Sequence, residues 1–228
     1  MNASIRLLAA QLAYRRTALL VVLGAITVFF AVLVLLGMEG DAVFELASAL
    51  AFFAGGALGV HAWVIDAKER RIRFLCTLPV SRPAISGARL LGAVSIQLLV
   101  AIPTLGAVAA TAEPTMMPEQ LRSVASANLW ALAIVLSCFF FEEVNVALSR
   151  WRVLLWIVNL APVVAALWLV AAAGSAAEML IASPAALPIA ALACAAIAAA
   201  TLLLFSSRRS LDIGVSPLHG FPVDWSRE

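Results

Sequence analysis

Six apolar windows, at about 17–37, 43–65, 85–110, 123–141, 153–173 and 185–205, divide the chain, and each is long enough to cross a bilayer. A hydrocarbon core about 30 Å deep takes roughly 20 apolar residues of α-helix. Lipid offers the backbone no hydrogen-bond partner, so each run is expected to fold as a helix that satisfies its own N–H and C=O groups. Composition agrees. The chain is 64% hydrophobic and 12% charged, with a mean hydropathy of +1.05, against about half apolar and a quarter charged in soluble proteins. The windows consume most of the 228 residues. The remaining connections are too short for a water-soluble domain of about 50 residues or more, so any chemistry outside the membrane is expected to belong to another chain. The fold class predicted is an all-α integral membrane protein with six transmembrane helices in a single domain.

The first apolar run, from Ala18 to Leu36, is too long for a signal-peptide core, and no A-x-A site follows it. It is read as an uncleaved span. Before it, residues 3–16 place Ile5, Leu8 and Leu12 on one face and add Arg6, Arg15 and Arg16. That pattern fits an interfacial helix or a set of cytoplasmic anchors for the first span, and both put the N-terminus inside. Beyond the last window the tail, 206–228, has no helical period. Cys76, Cys138 and Cys194 are scattered and form no metal-ligand or redox motif. A single lysine among fifteen basic residues, with abundant alanine, suggests a GC-rich bacterial coding sequence.

Basic residues set the orientation. With the N-terminus inside and the spans alternating, every arginine and lysine except Arg122 falls on the cytoplasmic side. Both termini are therefore expected in the cytoplasm of a bacterial cell, with the chain in its inner membrane. Inside the spans, Gly55 and Gly59 have the small-xxx-small spacing that lets a second helix approach closely. Pro103 removes a backbone donor within the third span. The outer loop is read as 111–122, with Glu113, Glu119 and Arg122. Glu142 and Glu143 end the fourth span, where an interfacial charge pair with Arg150 or Arg152 is expected.

The densest charge lies between spans two and three, in DAKERRIRFLCTLPVSRP, Asp66 to Pro83. Asp66 with Arg70 and Glu69 with Arg73 are acid-before-base pairs four apart, which support a helix. Lys68 and Arg71 add charge, and Ile72, Leu75 and Cys76 offer an apolar stripe. Pro79 ends that helix, and Val80, Ser81, Arg82 and Pro83 form a stiff reversal, with Ser81 or Arg82 capping span three. Such a short amphipathic cytoplasmic helix suits docking to a partner or anchoring to lipid headgroups.

These residues resemble the hallmark of ABC-2 type transporter permeases, in which a glutamate-containing segment leads into a Leu-x-x-Leu-Pro-Val-Ser-Arg turn and a Lys/Arg-Leu-Leu helix start. The matching residues are Glu69, Leu75, Leu78, Pro79, Val80, Ser81, Arg82, Arg89, Leu90 and Leu91. Where family members carry a glycine with threonine or serine before the leucines, this chain has Arg71 and Ile72. The resemblance implies the membrane-spanning half of an ATP-driven exporter. It would pair with a second permease copy and bind a cytoplasmic ABC ATPase through a coupling helix. That helix would be formed by Asp66, Lys68, Glu69, Arg70, Arg71, Ile72, Arg73, Phe74, Leu75, Leu78, Pro79 and Arg82. The chain has no G-x-x-x-x-G-K-[ST] loop, so ATP and magnesium are expected on the partner, with no cofactor, metal or catalytic site in this chain and no nucleic acid among its partners. A heme-exporter B-like permease is a related subtype.

Polar residues within the spans are few. Gln97, Asn128, Asn145 and Asn159 are candidates to line a pathway or to tie helices together, and their scarcity favours an apolar or amphipathic substrate. Two other classes compete. One is a non-transporting anchor that recruits a partner through the same charged segment. The other is a CAAX-type intramembrane protease, suggested by Glu142 and Glu143. There the pattern requires an arginine at the position of Ala147 and histidines in later spans, whereas the only later histidine is His219 in the tail.

Overall fold

The computed structural model describes residues 20–68, 81–147 and 183–207. Among the described residues the secondary structure is five helices and no strand. They are α1 (Leu20–Leu35), α2 (Gly40–Lys68), α3 (Arg82–Thr111), α4 (Met117–Ala147) and α5 (Ala186–Ser207).

Local chemistry fixes the joints. α1 ends where Gly37 takes φ 67°, a left-handed conformation that costs a residue with a Cβ about 1–2 kcal/mol. Gly37 N–H donates to Val34 O at 3.1 Å and Met38 N–H to Leu33 O at 3.2 Å, the paired bonds of a Schellman cap. α3 starts at Ser81, whose backbone is extended at φ −64°, ψ 143° and whose side chain makes no capping bond. Ser81 O instead accepts from Ala84 and Ile85 N–H, while Pro83, in the first turn, gives up no helical bond. Of the two cap positions expected, Ser81 holds the place. The α3–α4 connection is only 112–116, shorter than the loop 111–122 read from sequence. Pro118 and Glu119 explain the difference, because proline and an acidic residue both favour the first turn of a helix. Glu119 and Arg122 are thus helical.

Among the described residues three helices are long and apolar enough to cross a membrane: Pro83–Thr111, Met117–Val144 and Ala186–Ser206. They coincide with the windows 85–110, 123–141 and 185–205. The windows 17–37 and 43–65 coincide with α1 and α2, and α1 is shorter over its described residues. The window 153–173, the helix expected over 3–16 and the tail lie outside the described residues. The burial pattern is that of a helical membrane protein. Large apolar side chains such as Leu35, Phe53, Ile102 and Leu192 are exposed, while Arg89, Gln97, Asn128 and Glu143 are buried, the reverse of the soluble arrangement.

α4 is the central helix. In its most apolar stretch 56% of residues are buried, against 39% for α3 and 17% for α5. α2, α3 and α5 all pack on it. One apolar cluster joins Phe30, Val43, Ala47, Val108 and Val124 across α1 to α4. A second joins Leu90, Leu136, Phe139 and Cys194 across α3, α4 and α5. α2 and α3 run antiparallel, since Gly40 at the start of one lies against Thr111 at the end of the other. The bundle therefore has a loop end, at 112–116, and an island end, where 69–80 connects α2 to α3.

Candidate functional site: a buried charge cluster at the island end

The helix that follows the charged island carries Arg89 two turns past its first residue, about 10 Å along the axis. This places the guanidinium within the bundle. Arg89 is 5% exposed, Glu142 9% and Glu143 1%. Arg89 Nη2 donates to Glu142 Oε2 at 2.7 Å, and Nη1 lies 3.7 Å from Glu143 Oε1. The guanidinium also sits over the Phe139 ring, 4.8 Å from its centroid. Phe139 precedes Glu142 by three residues and so shares its face of α4. α4 supplies a ring and two carboxylates, and α3 supplies one cation.

Burying these ions is costly unless they are paired. A charge-assisted bond at 2.7 Å together with the aromatic face meets that requirement. The first carboxylate is hydrogen-bonded and the second is held at ion-pair distance, so one guanidinium serves two adjacent anions. What such a cluster can do is fix two helices against each other with directionality that hydrocarbon contacts lack. Both carboxylates are engaged by Arg89. Arg150 and Arg152, the partners expected from sequence, lie outside the described residues. α4 continues through Ala147, so Glu142 and Glu143 belong to the helix body, not to a boundary at 141.

A second polar contact lies deeper. Gln97 Nε2 donates to Asn128 Oδ1 at 2.8 Å and approaches Ala51 O at 3.4 Å, while Asn128 Nδ2 donates to Val124 O at 2.9 Å. Gly55 provides the room, because a Cβ there would overlap the Gln97 amide. A Cβ at Gly59 would overlap Val135 of α4. The small-xxx-small pair thus admits α3 at one glycine and α4 at the other. At the loop end Gln120 Nε2 donates to Asp41 Oδ1 at 3.1 Å.

No protein-family model, no curated protein and no solved structure matches this chain.

The residues expected to dock a partner are only partly described. Asp66 and Lys68 lie in the last turn of α2, which runs without a break into the island, and Arg82 is the first residue of α3. Glu69, Arg70, Arg71, Ile72, Arg73, Phe74, Leu75, Leu78 and Pro79 lie outside the described residues. Of the candidate pathway residues, Gln97 and Asn128 come together as a bridge between helices. Asn145 is in the last turn of α4, and Asn159 lies outside the described residues. Among the described residues no group of three or more His, Cys, Asp or Glu could hold a metal. Sequence reasoning used Arg89 for topology and for the Arg-Leu-Leu element of the family resemblance, and did not anticipate the cluster. The signal was available in the chain: an arginine inside an apolar window and a glutamate pair at the end of the next are costly in lipid unless they meet.

Proposed function

We propose that the chain is the membrane-spanning permease subunit of an ABC-2 type exporter, with six spans, both termini in the cytoplasm and residence in a bacterial inner membrane. It would work as a pair of permease copies with a separate cytoplasmic ATPase that supplies ATP and magnesium, moving an apolar or amphipathic substrate. The observation that carries this reading is at the start of α3. The Leu-Pro-Val-Ser-Arg-Pro motif enters α3 with Ser81 extended and Pro83 in the first turn of the helix. The Arg-Leu-Leu element of the same pattern delivers Arg89 to Glu142. A rigid helix start linked to the bundle interior suits a chain that receives force from outside the membrane. Polar side chains turned inward onto one another also suit a substrate that is itself largely apolar.

The test is recovery of an ATPase with the full chain in mild detergent, comparing the native chain with Arg70→Glu plus Arg71→Glu. Charge-assisted contacts are worth about 1.5–3 kcal/mol each, so the double reversal should abolish recovery while insertion, set by the remaining basic residues, persists. Undiminished recovery by the double variant would remove the docking role. A lipid-headgroup anchor predicts unchanged partner binding with weakened membrane placement.

A further inference from the structure

We propose that a stripe on α4 toward the island end, Trp130, Ile134, Ser137, Cys138 and Phe141, is the docking face for the chain's own segment 153–173, which recrosses the membrane between the end of α4 and the start of α5. This deepens the permease reading at its six-span architecture and rests on that part of it.

The direction of α5 carries the argument. α3 and α4 form an antiparallel hairpin across 112–116, joined at Gln97 and Asn128 and, nearer the island end, at Arg89 and Glu142. Cys194 Sγ donates to Leu129 O at 3.2 Å, which aligns α5 with α4 at that level. Leu202, about 12 Å further along α5, packs against the cluster of Leu90, Ala93, Leu132, Leu136 and Phe139. Each of those residues lies on the island side of Leu129. α4 and α5 therefore run the same way, so α4 finishes at the island end and α5 begins at the loop end. By helix rise, Ala147 lies about 27 Å to one side of the Leu129 level and Ala186 about 12 Å to the other. The 35 residues of 148–182 have to cover that distance. A backbone that crosses lipid does so as a helix, and the window 153–173 is about 31 Å long in that form.

Connection length and the occupied sides of α4 decide where the segment sits. The connection 148–152 spans at most about 20 Å, and packed helix axes are about 8–10 Å apart. Reaching past a helix that adjoins α4 would need that connection fully stretched. α4 meets α2 through Val124, Ala127 and Val135, α3 through Asn128 and Glu142, and α5 through Leu129. At about 100° per residue, the sector left between its α2 and α5 sides is the stripe, at i, i+4, i+7, i+8 and i+11. Ile134 there is 43% exposed and the other four are half-buried, whereas Leu132, Ala133, Val135 and Leu136 around it are buried. Ser137 and Cys138 are small, which lets a neighbouring backbone come close. Both ends of the segment are fixed at helices that border the stripe, and this favours it as occupant over a second copy of the chain.

The experiment uses the full chain in bacterial membranes, with Cys76, Cys138 and Cys194 replaced by alanine. Ser149→Cys and Ser175→Cys, made singly, should react with a membrane-impermeant maleimide from opposite sides of the membrane. Reaction of both from the same side would overturn the crossing. Ile134→Cys is then combined with cysteines placed one at a time over 160–168 and oxidised with copper phenanthroline. Crosslinks within one chain should recur every three to four positions, while Leu98→Cys, an exposed position on α3, should give none with the same set. A crosslinked dimer from Ile134→Cys alone would assign the stripe to a second copy and overturn the proposal. So would the absence of any crosslink while Ile134→Cys reacts with a membrane-soluble maleimide, which would leave the stripe to lipid. Recovery of an ATPase by the native chain decides the permease reading separately, because neither measurement needs the partner.

Discussion

The two faces that α4 offers to its neighbours are built on different physics. Toward α3 it presents side chains that bond: Asn128 to Gln97, and Glu142 and Glu143 to Arg89. Toward α2 it presents Val135 to a bare glycine and, at the far end, Gln120 to Asp41. In lipid no solvent term drives helices together, so association depends on close packing and on polar groups that would otherwise be unsatisfied. The first contact specifies register strongly. The second gives close approach of the two backbones.

The largest effect should come from the bonded face. Arg89→Leu leaves two buried carboxylates without their cation and should cost about 3–5 kcal/mol, read as unfolding at lower denaturant in detergent. If Glu142 is replaced by Leu in the same chain, part of the loss should return, because one of the stranded charges is gone. A cost for Arg89→Leu below that of an average surface substitution would mean that the cluster does not hold the hairpin.

Next is the packed face. Gly59→Val forces a side chain into the space taken by Val135 and should cost about 1–3 kcal/mol. Gly56 is the internal control, since a Cβ there has nothing within 4 Å. Gly56→Ala should be neutral or stabilising by up to about 1 kcal/mol, through helix propensity. Equal behaviour of the two glycines in thermal unfolding would show that α2 is not seated on Val135.

The smallest effect expected is at the amide bridge. Hydrogen bonds between membrane helices average about 0.6 kcal/mol in double-mutant cycles. The cycle Gln97→Leu with Asn128→Leu should therefore return a coupling of that order, well below the coupling of Arg89 with Glu142. The reverse order would move the main tie of the hairpin from its charged end to its middle.

The span windows were legible because hydrophobic length reports a one-dimensional requirement, the thickness of the bilayer. Windows 85–110, 123–141 and 185–205 each lie within or nearly within the helices observed, and the role of Gly55 and Gly59 as close-approach sites was readable from spacing alone. The loop 112–116 was misjudged because Glu119 and Arg122 look like surface residues, when an acidic first turn after Pro118 is a helix start. Arg89 was not anticipated as a partner of Glu142 for a different reason. Sequence proximity pointed to Arg150 and Arg152, which lie outside the described residues, whereas Arg89 lies 53 residues earlier in the chain.

The sequence by itself determined that this chain is helical and built for lipid, where the described helices run, and that it has small residues where neighbours must come close. These follow from hydropathy, turn chemistry and side-chain size, which are local properties. Which glycine meets which helix, that Gln97 and Asn128 are spent on each other, and that one arginine lies within ion-pair distance of two glutamates were decided only by the tertiary structure. Antiparallel packing of α3 and α4 sets residues far apart in sequence side by side, and buried polar groups in lipid settle with whatever partner that register brings within reach.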